Sequence, residues 1–197
     1  MHGCITISDF KGGKAVVSVP YELKEGQIPE SITTNHLDEN GLLTPMETSY
    51  DAASKAVSFV TSHFSKYVIS AVNENDAIVL NIGESQANVF GEILSNDVAP
   101  KIVNDRTMLP IRFIAEKLGA KVEWLGDTST VMISADGIEI SLLIGENFAT
   151  VNGEKIELDS PSFVENDRTF LPLRFVSENL GAKVLWNGKT QTVIITK

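Results

Sequence analysis

The sequence predicts an α+β protein: an N-terminal all-β, sandwich-like domain, then a domain built twice from a β-β-α-β-β antiparallel sheet-and-helix unit. Three observations predict it. The segment NDRTMLPIRFIAEKLGAKVEW, from Asn104, recurs sixty-two residues later as NDRTFLPLRFVSENLGAKVLW, from Asn166, with 15 of 21 paired positions identical. Within each copy the apolar spacing changes from helical to alternating. Residues 1–70 lie outside the repeat and carry alternation alone.

The same offset aligns Leu80-Asn81-Ile82-Gly83-Glu84 with Leu142-Leu143-Ile144-Gly145-Glu146, and Thr130-Val131 with Thr192-Val193. No gap is needed from about Ile78 to the last residue, so a domain over 77–197 is read as two repeats, about 78–135 and 140–197. In each, a short apolar strand leads to a hairpin signal at Gly91-Glu92 or Asn152-Gly153. The Asn-Asp-Arg-Thr turn follows, and Pro110 or Pro172 is placed as the first helical residue, where a missing N–H costs nothing. Ile111, Ile114, Ala115 and Leu118 then keep the i, i+3, i+4, i+7 spacing of a buried helical face. Gly119 and Gly181 stop the helices. Val122 and Trp124 alternate with Lys121 and Glu123, and a Gly126 or Gly188 turn introduces the closing strand. A unit of about 60 residues has a thin core, so the two are expected to pack together through Phe113, Leu118 and Trp124 and through Phe175, Leu180 and Trp186.

The N-terminal domain is bounded at 1–72. Val17, Val19 and Tyr21 alternate, as do Val57, Phe59 and Thr61; Asp38-Glu39-Asn40-Gly41 is a turn. Leu23–Pro29 and Thr44–Ala53 read as connecting loops, and Asn73-Glu74-Asn75-Asp76 as the linker.

Composition narrows function. The chain has 197 residues and a formal charge of −10, with no Lys/Arg cluster, so nucleic acid and anionic membrane faces would repel it. Its longest apolar runs are strand-sized, far below the roughly 20 residues that cross a bilayer. Cys4 is the one cysteine and cannot form an internal disulfide. Met1-His2-Gly3 lacks the basic start and apolar centre of a signal peptide and is read as an artificial start or an internal cut through a longer protein.

The doubled phrase DRTMLPIRFIAEKLGAKVEW and DRTFLPLRFVSENLGAKVLW resembles the copper amine oxidase N-terminal-like "stalk" domain, over about residues 78–197. That resemblance implies a repeated module of secreted or wall-associated Gram-positive proteins, and the part of the oxidase that does no oxidation. Val17–Tyr21, Tyr50-Asp51-Ala52 and Thr61–Val68 resemble a β domain of S-layer-type surface proteins. An oxidase would need three histidine ligands for copper and a quinone-forming tyrosine. The histidines here are His2, His36 and His63, all outside the repeats, so no copper, other metal or cofactor is expected.

Trp124 and Trp186 are read as core residues rather than sugar platforms, because they alternate with Val122 and Val184. Asp105, Arg106, Asp167 and Arg168 form either a binding cluster or an Asx-type turn with locally paired arginines; duplication favours architecture, and Arg112 and Arg174 raise the same question. Asp38-Glu39-Asn40-Gly41 has too few oxygen ligands for a calcium loop. His63, Phe64 and Ser65 resemble a self-cleaving triplet in which Ser65 Oγ attacks the Phe64 carbonyl with help from His63; the alternative is a strand end with Phe64 and Val68 in the core. No nucleophile elbow, phosphate loop or zinc spacing occurs.

The expectation is therefore a non-catalytic structural or adhesive module of an extracellular or wall-associated bacterial protein. Its partners would be wall glycan or another surface protein. The alternatives are a self-cleaving domain at His63-Phe64-Ser65 and a carbohydrate-binding module.

Overall fold

The computed structural model describes residues 12–197; the Met1-His2-Gly3 opening and Cys4 lie outside them. The chain divides into two compact units, one reaching Asn73 and one running from Glu74 to Lys197.

The first unit is all β. Strand β1 (Ala15–Pro20), β2 (Thr33–Leu37), β3 (Leu43–Met46), β4 (Thr48–Asp51), β5 (Ala56–Thr61) and β6 (Lys66–Ser70) form two three-stranded sheets, ordered β1-β5-β4 and β3-β2-β6. Alternation on β5 buries Val57, Phe59 and Thr61. Phe59 meets the Tyr67 ring of the other sheet at 4.7 Å, and Thr61 Oγ1 lies 2.7 Å from the Tyr67 hydroxyl. Asp38-Glu39-Asn40-Gly41 closes the β2–β3 hairpin: the backbone N–H groups of Asn40 and Leu42 donate to Asp38 Oδ1 at 2.9 and 2.7 Å. The Leu42 bond above all holds the Asp38 carboxyl below its ordinary range. Two expectations fail in this unit. Most of Thr44–Ala53 is strand, because its alternating polar residues pair with β2 and β5. Phe64 and Val68 are exposed, because Tyr67 and Ile69 occupy the inward phase of β6.

The second unit contains strand β7 (Ala77–Asn81), β8 (Gln86–Val89), β9 (Glu92–Ser95), β10 (Lys101–Val103) and β11 (Arg106–Pro110), then helix α1 (Ile111–Lys117), β12 (Lys121–Leu125) and β13 (Thr130–Ala135). The second copy repeats this order: β14 (Ile138–Leu143), β15 (Phe148–Val151), β16 (Glu154–Glu157), β17 (Phe163–Glu165), β18 (Arg168–Pro172), α2 (Leu173–Asn179), β19 (Lys183–Asn187) and β20 (Thr192–Thr196). Each copy thus has five strands before its helix. The β-β-α-β-β expectation merged the Asn-Asp hairpin into a single turn.

Neither copy forms its own sheet. The order β12-β13-β14-β15-β16 joins the end of the first copy to the start of the second. The order β19-β20-β7-β8-β9 joins the end of the second to the start of the first, with Thr192 opposite Asn81 and Thr196 opposite Ala77. A third sheet, β10-β11-β18-β17, crosses between copies where Leu109 pairs with Leu171. One hydrophobic core draws on both copies, including Leu80, Leu109, Ile114, Leu142, Leu171 and Val176.

The helices obey their sequence signals with one adjustment. Ile111, Ile114, Ala115 and Leu118 are buried as the spacing predicts. Pro110 and Pro172 sit one place earlier than expected, as N-caps, because both are still paired in β11 and β18. Gly119 and Gly181 take φ of 88° and 82°. The N–H of Gly119 bonds to the Glu116 carbonyl and that of Ala120 to the Ala115 carbonyl, the paired bonds of a Schellman stop.

The tryptophan expectation is overturned. Trp124 is 44% exposed and Trp186 40%. Both lie late on β12 and β19, which are sheet edges. A seven-residue helix is only about 10 Å long, whereas a five-residue strand spans roughly 17 Å. Each helix therefore covers Val122 or Val184 and stops short of the indole.

Candidate functional site

Two clefts, of about 690 and 660 Å³, lie at equivalent places in the second unit. One is walled by α1 and Trp124, the other by α2 and Trp186. The opposite wall of each comes from the other copy: Asp167 and Arg168 face Trp124, and Asp105 and Arg106 face Trp186. The four loop residues singled out from sequence are thus divided between two composite clefts.

Their local geometry follows from the hairpin. Asn104 and Asp105 have φ of 51° and 58°, and Asn166 and Asp167 have 50° and 58°. Two successive left-handed residues make the two-residue turn that matches strand twist, and Asn and Asp tolerate that conformation. This replaces the expected Asx-type turn. The arginine next in line bonds both locally and across the copies: Nη1 of Arg106 donates to the Asp105 carbonyl at 3.2 Å and Nη1 of Arg168 to the Asp167 carbonyl at 3.3 Å. Arg106 Nε donates to Asp159 Oδ2 at 2.8 Å, and Arg168 Nε donates to Asp97 Oδ2 at 2.7 Å. Each ion pair joins one copy to the other, so the arginine's carboxylate partner is not a local one. Hydrogen bonding from Arg168, with further help from Asp97's own backbone N–H, holds the Asp97 carboxyl below its ordinary range.

The helix arginines complete the walls. Arg174 Nη1 donates to Glu178 Oε1 at 3.2 Å and to the Val184 carbonyl at 3.3 Å. Arg112 lies 3.9 Å from Glu116. The indole nitrogen of each tryptophan lies near the glycine two places later. A Cβ at Gly126 would fall 3.5 Å from Trp124 Nε1, and one at Gly188 would fall 3.3 Å from Trp186 Nε1. Neither glycine is in the left-handed region; at Gly188 a side chain would press on the indole, whereas at Gly126 it would make only an ordinary contact.

The family described as the copper amine oxidase N-terminal domain matches residues 32–133 and again residues 91–195. The chain belongs to that family. The copper amine oxidase N-terminal domain is non-catalytic in copper amine oxidases, and its two overlapping matches here, displaced by about one repeat, support the tandem repeat. The first match reaches back to Ile32, inside the first unit. No curated protein matches the chain.

The residues do not fit the copper centre in the family name. Among the described residues, no three His, Cys, Asp or Glu side chains converge as a metal-holding group. His36 and His63 approach with Nε2 atoms 3.4 Å apart, in the first unit. The Ser65 hydroxyl contacts His36 Nε2 at 3.0 Å, so the imidazole at its side is not the one in its own triplet. The His63 carbonyl accepts from Thr61 Oγ1 at 2.7 Å and from the Tyr67 hydroxyl. Among the described residues, no helix is long and apolar enough to cross a membrane.

Sequence reasoning found the Asp-Arg pairs but placed the tryptophans in the core. One signal was present: a glycine two residues after each tryptophan, in a copy-invariant position.

Proposed function

We propose that this copper amine oxidase N-terminal domain protein is a non-catalytic binding module of a bacterial cell-surface protein, and that its twin clefts hold uncharged glycan of the wall. The carrying observation is the same constellation built twice: an exposed indole facing an arginine already paired to a carboxylate. An indole presents a broad apolar face to the apolar face of a sugar ring, while guanidinium and carboxylate groups exchange hydrogen bonds with its hydroxyls. Cleft volumes of this size fall in the range of small-molecule sites. Acidic groups outnumber arginines in both clefts, and the arginines are engaged in ion pairs, so little attraction is left for an anionic ligand. The N-terminal β domain would serve as the S-layer-type spacer of such a protein.

The test is sedimentation with purified, protein-free cell-wall material. The unmodified chain is expected to co-sediment, and the Trp124→Ala/Trp186→Ala double variant to remain in the supernatant. Equal retention of both on the wall would sink the assignment to these clefts.

A further inference from the structure

The two clefts differ at one floor position. Asn96 follows β9 in the cleft beneath Trp124, and its counterpart beneath Trp186 is Leu158. Both are 5% exposed. Leu158 belongs to the hydrophobic core, as its chemistry suits. Asn96 does not, and its buried Nδ2 has no hydrogen-bond partner among the described residues. A buried donor without a partner is destabilising relative to the apolar side chain that the other copy uses, so Asn96 is unfavourable for folding alone. The neighbouring position differs in charge: Ser95 stands in the first cleft where Glu157 stands in the second, which leaves the first cleft less acidic.

We infer that the clefts are unequal, and that the one beneath Trp124 is the principal saccharide site. There a small rotation of the Asn96 side chain on binding brings Nδ2, sealed from solvent in the free protein, to a hydroxyl or acetamido oxygen of an uncharged sugar stacked on the indole. The inference rests on the glycan reading above and adds to it which cleft binds and what it recognises. The second cleft has an indole but an apolar floor and one more carboxylate. Its arginine donors, Arg106 and Arg174, are already engaged by Asp159 and Glu178, and it has no counterpart of the Asn96 amide, so it serves as a weaker, less selective contact.

The experiment is titration calorimetry of the full chain with a soluble, uncharged oligomer of N-acetylhexosamine. Thermal unfolding of each variant is recorded alongside. Asn96→Leu installs the residue the fold already accepts at the equivalent position and removes an unpartnered donor, so its melting temperature is expected to rise rather than fall. Its affinity should fall about fivefold, the worth of one net hydrogen bond. Trp124→Phe should weaken binding more than Trp186→Phe does. Leu158→Asn should strengthen binding at the second cleft. Binding that survives Asn96→Leu unchanged, with equal losses from the two tryptophan variants, overturns the inequality and leaves the glycan reading standing. No heat of binding from the unmodified chain, together with no wall sedimentation, overturns the glycan reading itself.

Discussion

Leu109 and Leu171 face each other across β11 and β18, and each is the other's counterpart in the repeat. On either side of that pair, Met108 lies opposite Pro172 and Pro110 opposite Phe170, so exchanging the copies maps the ladder onto itself. A local two-fold relation therefore runs through the centre of the second unit. The two clefts, the two arginine clamps and the two strand-exchanged sheets follow from it.

Strand exchange makes the copies inseparable. The sheet β19-β20-β7-β8-β9 needs both ends of the unit, whereas the other large sheet forms along contiguous chain through the Asp136-Gly137 turn. Residues 76–197 should unfold in a single transition, and fragments 78–135 and 140–197 should each lack a cooperative one. A permutant that joins Lys197 to Asp76 through Asp-Gly and opens at Asp136-Gly137 should fold, since it only moves the turn to its symmetric place. Calorimetry and circular dichroism check all three; a cooperative melt from either lone fragment contradicts the shared core.

Ser177 is fully buried where α2 packs near α1, and its hydroxyl has no hydrogen-bond partner among the described residues. Its counterpart in the first copy is Ala115, equally buried. Ser177→Ala is expected to stabilise the unit by about 1 kcal/mol, by removing an unsatisfied polar group and raising helix propensity. Chemical denaturation reads this directly, and a lower midpoint would show that the hydroxyl is needed.

Acid should loosen the clamp between copies. The Asp97 carboxyl is depressed by Arg168, so its contribution is complete above the ordinary carboxylate value of 3.8 and is lost as pH falls through the lower folded value. Asp97→Asn should reduce stability near neutral pH and flatten the decline below about pH 4. The pair is solvent-exposed, so the effect should shrink in high salt. Melting temperature against pH, at low and high ionic strength, tests both signs.

Gly188→Ala should act on the indole rather than on the backbone. The added methyl would meet Trp186 Nε1 at 3.3 Å, a distance that forces the ring to move by a few tenths of an ångström. In a Trp124→Phe background, Trp186 emission and its quenching by acrylamide should change. Stability should shift by no more than about 0.5 kcal/mol, as at most surface positions. Unchanged emission would mean that the ring does not rest on the glycine.

Much of this molecule is determined by sequence alone. The sixty-two-residue period, the helix faces at Ile111, Ile114 and Leu118, and the glycine stops are local signals that follow from backbone geometry, and each appears where expected. The Asp-Arg pairs also stood out, because duplication made them conspicuous. Tertiary structure decided the rest. Which copy lends a strand to which sheet depends on pairings such as Ile195 with Ile78, which no local pattern encodes. Alternation puts Trp124 on the same side of β12 as Val122, but only the short reach of α1 and the edge position of β12 leave the indole exposed. The partners Asp97 and Asp159 lie far along the chain from Arg168 and Arg106, and folding alone brings their charges together.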